Sequence, residues 1–193
     1  PSINSQPVVF IHGHMGSKLI NKQGEEFWLS PTMGLGLHTP DLGLPIEWEN
    51  NEQQKDGLRS AGAIESVKIL FGLIGADIYG PWLKKARSFE RTQFYEFSYD
   101  WRRNNHESAE KFKLFLEDIN RKHGGKKVNI ISHSMGGIIT LAVWNENPQL
   151  IDKVVFAGVP FKGGLGYLDN LYLGTPIGIN QKILSAEVLF THP

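Results

Sequence analysis

The sequence contains no cysteine among its 193 residues, so disulfide bonds and thiolate catalysis are excluded within it. Charge of one sign is also lacking, because 20 basic and 20 acidic residues cancel to a formal net charge of zero. No long-range field therefore attracts nucleic acid or an anionic membrane, and we expect no nucleic-acid partner. Any partner must be recognised by shape.

Long hydrophobic runs are missing as well. No apolar stretch approaches the ~20 residues that span a bilayer, so we expect no transmembrane segment. No basic segment followed by an apolar core, the pattern of a signal peptide, is visible at the start of the sequence. The composition is typical of a soluble domain, and the compartment stays unassigned.

The most informative feature is the segment 128–139 (VNIISHSMGGII). An apolar, β-branched run ends in a turn around Ser134 and then resumes at helical spacing, which is typical of a nucleophile elbow. Gly136 would let the helix pass close to the strand, and Ser132 occupies a position that is usually glycine. Ser134 is therefore the candidate nucleophile. The alternative is that Ser134 only caps the following helix.

Upstream, residues 7–17 (PVVFIHGHMGS) predict a buried strand that runs into a glycine-punctuated loop. An HG-x-x-G loop of this kind supplies one backbone N–H to an oxyanion hole, and the residue after the nucleophile supplies the other. Those residues are His14 and Met135. A metal site at His12 and His14 is the alternative, but the Asp-His pair that such a motif needs is missing. We expect no metal and no cofactor, and we expect the His12 ring to bond neighbouring backbone.

A third element lies between these two. Residues 93–98 alternate apolar and polar side chains and lead into Tyr99-Asp100-Trp101-Arg102. With HGHMGS before it and SHSMGG after it, this order resembles the family of lecithin:cholesterol acyltransferase and lysosomal phospholipase A2, which are α/β hydrolases. Further matches are Asp56-Gly57-Leu58-Arg59, Tyr79-Gly80-Pro81, the segment 157–164 and the segment 185–190. A purely structural reading of the box also stands, with Trp101 in the core and Arg102 paired to Asp100.

The coarse pattern of elements agrees with an α/β-hydrolase fold, a mostly parallel sheet with flanking helices. It predicts strands at 7–12, 93–98, 127–132 and 153–157, and helices at 80–89, 106–123 and 135–146. Residues 160–193 show only one short helical pattern, at 181–190. The candidate residues all fall at the carboxyl ends of the predicted strands, where ligands bind in such sheets.

Residues 17–78 form a long excursion that is weak in periodicity, and the resemblance implies a cap or substrate-entry region there. Its large apolar side chains either pack on the core or line an acyl-chain groove, and core packing is favoured residue by residue. They are Phe27, Trp28, Leu29, Leu35, Leu37, Leu42, Leu44 and Trp48. The segment 67–74 is too short to span a membrane and is expected to be buried.

The acid and base of a catalytic triad are harder to find. After Ser134 the only histidine is His192, and the acids are Glu146, Asp152, Asp169 and Glu187. Asp169 with His192 is the weak candidate pair within the chain. We expect instead that residues 1–193 are a partial α/β-hydrolase domain, cut before its acid and base.

These features predict a serine acyl hydrolase or O-acyltransferase that acts on lipid esters through an acyl-enzyme. The expected partner is a lipid or ester substrate, with transient contact to lipid surfaces. A general carboxylesterase or triacylglycerol lipase is the first alternative. A hydrolase-like binding module without catalysis is the second.

Overall fold

The computed structural model describes residues 6–45, 56–69, 74–90 and 92–193. In chain order its elements are β1 (Val8–Ile11), β2 (Ser17–Ile20), β3 (Glu26–Trp28), α1 (Pro31–Gly34), β4 (Arg59–Ala63), β5 (Ser66–Ile69), β6 (Ile74–Asp77), α2 (Gly80–Arg87), β7 (Phe94–Phe97), α3 (Asn105–Lys122), β8 (Val128–His133), α4 (Met135–Glu146), β9 (Ile151–Ala157), α5 (Gly166–Leu173) and α6 (Ala186–Leu189).

The main sheet is parallel, with the strand order β7-β1-β8-β9. Strand β1 lies between β7 and β8, and Ile11 at its end pairs with Phe97 on one side and Ser132 on the other. The chain therefore leaves these three strands at the same edge of the sheet. This confirms the predicted parallel sheet. It also brings three segments side by side, namely the glycine loop (residues 12–16), the Tyr-Asp-Trp-Arg box and the elbow.

Helices cover both faces of this sheet. Val9 and Ile11 of β1 belong to the larger buried cluster, which includes Phe112 of α3 and Ile139 of α4. Phe10 points to the opposite face and packs with Leu83 of α2. The side chains of β1 are thus apolar on both faces of the sheet, as expected for a central strand of a parallel sheet.

Helix α3 has the apolar periodicity and the end signals by which its sequence predicts a helix. Its buried side chains Phe112, Leu116 and Ile119 lie at helical spacing. The side chain of Asn104 accepts a hydrogen bond from the N–H of His106 and caps the first turn. Beyond the helix, Gly124 and Gly125 have positive φ angles of 65° and 84°, a conformation that favours glycine at a helix end.

Two expectations need correction. The structure contains an eight-residue helix, α5, in the segment 160–193 where only a short pattern at 181–190 was predicted. It is eight residues long and none of its residues is buried, so its sequence is shorter than the window over which a helical period can be read. Strand β9 also begins at Ile151, two residues before the predicted start at 153.

The excursion 17–78 is more regular than its sequence indicates. It contains a three-stranded antiparallel sheet of order β3-β2-β4 and the hairpin of β5 and β6. Trp28, Leu42 and Leu44 are buried, which confirms core packing for these three, whereas Leu37 is 75% exposed. Trp48 and residues 70–73 lie outside the described residues, and the role of the excursion as a cap stays a prediction. Within the described part, no helix is long and apolar enough to cross a membrane.

Candidate active site

The elbow is a sharp turn between β8 and α4. Ser134 has φ 49° and ψ −124°, one of two described non-glycine residues with positive φ. Such a backbone costs free energy and is typical of functional turns. Ser134 occupies the cap position of α4, yet its side chain makes no capping hydrogen bond. The alternative interpretation, a serine that only caps the helix, therefore loses its main support.

The small residues around Ser134 are steric requirements. A Cβ on Gly136 would overlap the carbonyl oxygen of His12, and a Cβ on Gly137 would overlap the side chain of Val159. Ser132 is fully buried, and its hydroxyl donates to the carbonyl oxygen of Val155 at 3.2 Å. A larger side chain at Gly136 would push α4 away from β1.

The glycine loop after β1 lies directly against the elbow. A Cβ on Gly13 would lie 2.8 Å from Cβ of Ser134 and 2.9 Å from Nδ1 of His133. His14, Ser134 and Met135 line one cavity of about 490 Å³. The structure thus brings together the three residues that the sequence nominated for nucleophile and oxyanion hole.

His12 is buried and has a fixed tautomer. Its Nδ1 lies 2.9 Å from the carbonyl oxygen of Gly13, to which it donates, and its Nε2 accepts from the N–H of Tyr99 at 3.2 Å. Burial lowers the pKa of His12 to about 4, so the ring is neutral and both nitrogens are occupied. This confirms the expected backbone-bonding role, and no metal-ligand cluster occurs among the described residues.

His14 is half-buried and lines the cavity. Its ring meets Trp101 edge-on with centroids 5.1 Å apart. Burial, and secondarily the charge of His192, lower the pKa of His14 to about 4. The imidazole is therefore neutral near pH 7.

The Tyr-Asp-Trp-Arg box is a buried ion-pair site. Arg102 donates to Asp100 through Nε at 3.0 Å and Nη2 at 2.7 Å, and through Nη1 to Asp56 at 2.5 Å. Trp101 is only 3% exposed and packs on Trp28. The structural reading of the box is confirmed. Its link to Asp56 could not be predicted, although Asp56-Gly57-Leu58-Arg59 was noted as a match.

Asp169 and His192 are not brought together. His192 lines the cavity of Ser134, and its Nε2 donates to the carbonyl oxygen of Leu42 at 3.0 Å. Its Nδ1 is buried without a partner among the described residues. Asp169 is exposed on α5 and does not line the cavity. The weak candidate pair therefore lacks the hydrogen bond that an acid and base share.

Sequence reasoning missed one polar group at the site, Tyr79. Its hydroxyl accepts from the N–H of Gly13 at 3.1 Å and lies 2.7 Å from Nδ1 of His133. Burial lowers the pKa of His133 and raises that of Tyr79, so this hydrogen bond joins a neutral imidazole and a neutral phenol. The signal was the triplet Tyr79-Gly80-Pro81, which the sequence offered only as part of a resemblance.

A parallel sheet with helices on both faces and a serine elbow at its carboxyl edge define an α/β hydrolase. One solved structure, of the Tle4–Tli4 complex, agrees in fold with a TM-score of 0.53 and 20% identity, and it covers 96% of this chain and 52% of that chain.

The family is shown by sequence. The family model of lecithin:cholesterol acyltransferase matches residues 25–189, and the chain belongs to this family. It is 26% identical to "Uncharacterized protein YJR098C" of Saccharomyces cerevisiae over 185 residues, which are 95% of this chain and 27% of that protein. It is 32% identical over 90 residues to "Lecithin-cholesterol acyltransferase-like 4" of Arabidopsis thaliana, covering 44% of this chain and 17% of that protein. The chain thus spans less than a third of the length of either relative.

Proposed function

We propose that this chain carries the nucleophile and the oxyanion hole of a serine acyl hydrolase or O-acyltransferase that acts on lipid esters. The observation that carries the proposal is the position of Ser134, on a strained turn with no capping bond, in a cavity shared with His14 and Met135. The lecithin:cholesterol acyltransferase family supports a lipid ester as the substrate class.

In the proposed mechanism, Oγ of Ser134 attacks the ester carbonyl carbon while a histidine base takes its proton. The carbonyl oxygen becomes an oxyanion, which accepts from the backbone N–H groups of His14 and Met135. Each such donor is worth about 3 kcal/mol in the transition state. Collapse breaks the bond to the alcohol, which leaves with the proton from the histidine. Water or an acceptor alcohol then attacks the acyl-enzyme and restores Ser134.

The proposal takes the acid and base from outside residues 1–193. Two features support this. Asp169 is exposed and away from the cavity, and the Nε2 proton of His192 is engaged by the carbonyl of Leu42. Neither residue has the arrangement that a base and its orienting acid require.

The cavity suits an acyl chain. Its walls include the apolar and aromatic side chains of Trp101, Met135, Ile138 and Tyr167. Outside it, the loop after β9 and helix α5 expose large apolar side chains, namely Phe161, Leu165, Leu168, Tyr172 and Leu173. Such a patch beside a catalytic cavity supports transient contact with a lipid surface. The proposed substrate is therefore presented from an aggregate rather than from free solution.

The test is Ser134→Ala in the full-length gene product, measured as fatty-acid release from phospholipid vesicles and triacylglycerol emulsions. We expect kcat to fall on the order of 10⁶-fold, to the background rate. Ser88→Ala is the matched control, because Ser88 bonds the carbonyl of Lys85 at the end of α2 and should keep full activity. Activity above one tenth of the parent in Ser134→Ala would contradict the nucleophile assignment. A preference for short soluble esters over both lipids would favour a general carboxylesterase.

A further inference from the structure

Tyr79 lies between the glycine loop after β1 and the elbow after β8, and its hydroxyl contacts a residue beside each. Gly13, whose N–H donates to the Tyr79 hydroxyl at 3.1 Å, directly precedes His14. His133, whose Nδ1 lies 2.7 Å from the same hydroxyl, directly precedes Ser134. One hydroxyl therefore connects the residue before an oxyanion donor with the residue before the nucleophile.

The peptide group between Gly13 and His14, whose N–H would donate to the oxyanion, is also held through its carbonyl oxygen. The carbonyl oxygen of Gly13 accepts from Nδ1 of His12 at 2.9 Å and from the N–H of Gly16 at 3.1 Å. In a trans peptide the C=O and the N–H point in opposite directions, so holding this carbonyl fixes the direction of the His14 N–H. Tyr79 holds the preceding peptide through the Gly13 N–H.

The backbone around Tyr79 is fixed by further hydrogen bonds. Its N–H donates to the carbonyl of Ile64 at 3.2 Å, and the N–H of Gly80 donates to the carbonyl of Glu65 at 2.8 Å. Its ring packs edge-on against Phe10 with centroids 5.1 Å apart. The hydroxyl is therefore presented from a backbone segment of the excursion, and this segment also bonds the glycine loop, because the N–H of Ile64 donates to the carbonyl of Gly16 at 2.8 Å.

We propose that Tyr79 is a positioning residue. Its hydroxyl bridges Gly13 and His133 and so holds the glycine loop in a fixed position relative to the nucleophile elbow. The proposal rests on the proposed function. It predicts that loss of the hydroxyl leaves the cavity and substrate binding intact and misaligns the His14 N–H relative to Ser134. Small misplacements of this kind cost up to about 10²-fold in rate.

The chain provides a matched control. Tyr95 bonds His123 through its hydroxyl at 2.8 Å, with ring centroids 5.8 Å apart. The Tyr79 and His133 rings are 5.6 Å apart. Both pairs are edge-on contacts between tyrosine and histidine, and none of the four residues lines the Ser134 cavity. Tyr79 bonds the glycine loop and His133 directly precedes Ser134, whereas Tyr95 lies within β7 and His123 follows α3. Tyr95→Phe therefore removes the same chemical group without touching the site.

The experiment compares Tyr79→Phe, Tyr95→Phe and the parent, as full-length proteins, on an acyl ester and on the corresponding thionoester. We expect Tyr79→Phe to lower kcat for the ester by about 10-fold to 100-fold with KM unchanged. The loss should be smaller for the thionoester, because sulfur is a weaker hydrogen-bond acceptor and its reaction depends less on the donors. Tyr95→Phe should match the parent on both substrates.

Each outcome decides the proposal. An equal loss on both substrates, or a rise in KM alone, would overturn the positioning role. Parent-like kinetics of Tyr79→Phe would overturn it too. If Tyr79→Phe lowers the thermal midpoint more than Tyr95→Phe does, kcat is measured at a temperature below both midpoints. The loss of kcat on the ester relative to the loss on the thionoester then still decides between the outcomes. If the parent protein cleaves no ester, or if Ser134→Ala cleaves the ester as fast as the parent, the proposed function is overturned and the role of Tyr79 with it.

Discussion

At the scale of single residues, the proposed oxyanion hole depends on backbone groups and not on side chains. His14 is neutral near pH 7 because burial lowers its pKa to about 4, so its imidazole contributes no positive charge to an oxyanion. Met135 is the first residue of α4, where the N–H groups have no partner within the helix. Main-chain donors at these positions are rigid, which is what an oxyanion hole requires.

The backbone role of Met135 can be tested with two substitutions. Met135→Pro removes the N–H and should lower kcat by at least about 10²-fold. Proline is tolerated at the first position of a helix, so the fold should survive. Met135→Ala keeps the N–H and should stay close to the parent in ester-hydrolysis kinetics. Equal losses in the two variants would show that the side chain, not the N–H, matters.

The close contact between α4 and β1 gives a prediction about stability. Gly136→Ala places a Cβ against the carbonyl oxygen of His12 and 3.0 Å from Cγ1 of Ile11. We expect a loss of about 1–3 kcal/mol in the free energy of unfolding, measured by chemical denaturation. Gly164→Ala is the control, since a Cβ there meets no atom within 4 Å. A loss as large in Gly164→Ala would refute the steric explanation.

At the scale of elements, the end of β1 couples stability to pH. The pKa of buried His12 is about 4 in the folded protein, below the 6.5 of a free histidine side chain. Between these values the unfolded chain binds more protons than the folded one, so stability falls as the pH is lowered from about 6.5 to 4. The contribution of His12 is on the order of 3 kcal/mol across this window.

His12→Gln should flatten this pH dependence. The measurement is the free energy of unfolding of parent and variant at several pH values between 4 and 7, compared by slope rather than by absolute value. Carboxylates titrate in both proteins, so the difference between the two slopes reports His12. Identical slopes would mean that His12 is not buried in its neutral form.

The same scale shows what sequence could and could not predict. Helix α3 was predictable because its apolar residues repeat at helical spacing. Helix α4 was predictable because it follows the elbow and ends just before Pro148. Strands β2, β3 and β4 were not, because each is three to five residues long and β2 finds its partner β4 about 40 positions away. Helix α5 was missed because it is only eight residues long, which is shorter than the window over which a helical period can be read.

The candidate site divides in the same way. Ser134, Met135 and His14 lie inside local motifs whose neighbours dictate their backbone, so the sequence alone nominates them as candidates, and the structure places them in one cavity. Tyr79 reaches Gly13 across 66 positions, and Arg102 reaches Asp56 across 46. No local pattern encodes these contacts, because only the assembled sheet and excursion bring the partners together.

At the scale of the whole molecule, β9 is one of the two edge strands of the main sheet in the described residues, the other being β7. Strand β9 pairs with β8 alone, and Val155 on it is 60% exposed. The chain also spans only 27% of the yeast relative. Both facts fit the proposal that the catalytic base comes from outside residues 1–193. On that account the segment alone should react with a fluorophosphonate no faster than a generic surface serine does.

The most direct test of the central claim is labelling of the full-length protein with a fluorophosphonate, followed by mass spectrometry of its peptides. An activated serine attacks phosphorus and expels fluoride, which leaves a stable adduct on its oxygen. We predict one stoichiometric adduct, on Ser134, that is absent in Ser134→Ala and present in Ser88→Ala. An adduct on another serine, or no adduct in a folded full-length protein, would contradict the assignment of Ser134 as the nucleophile.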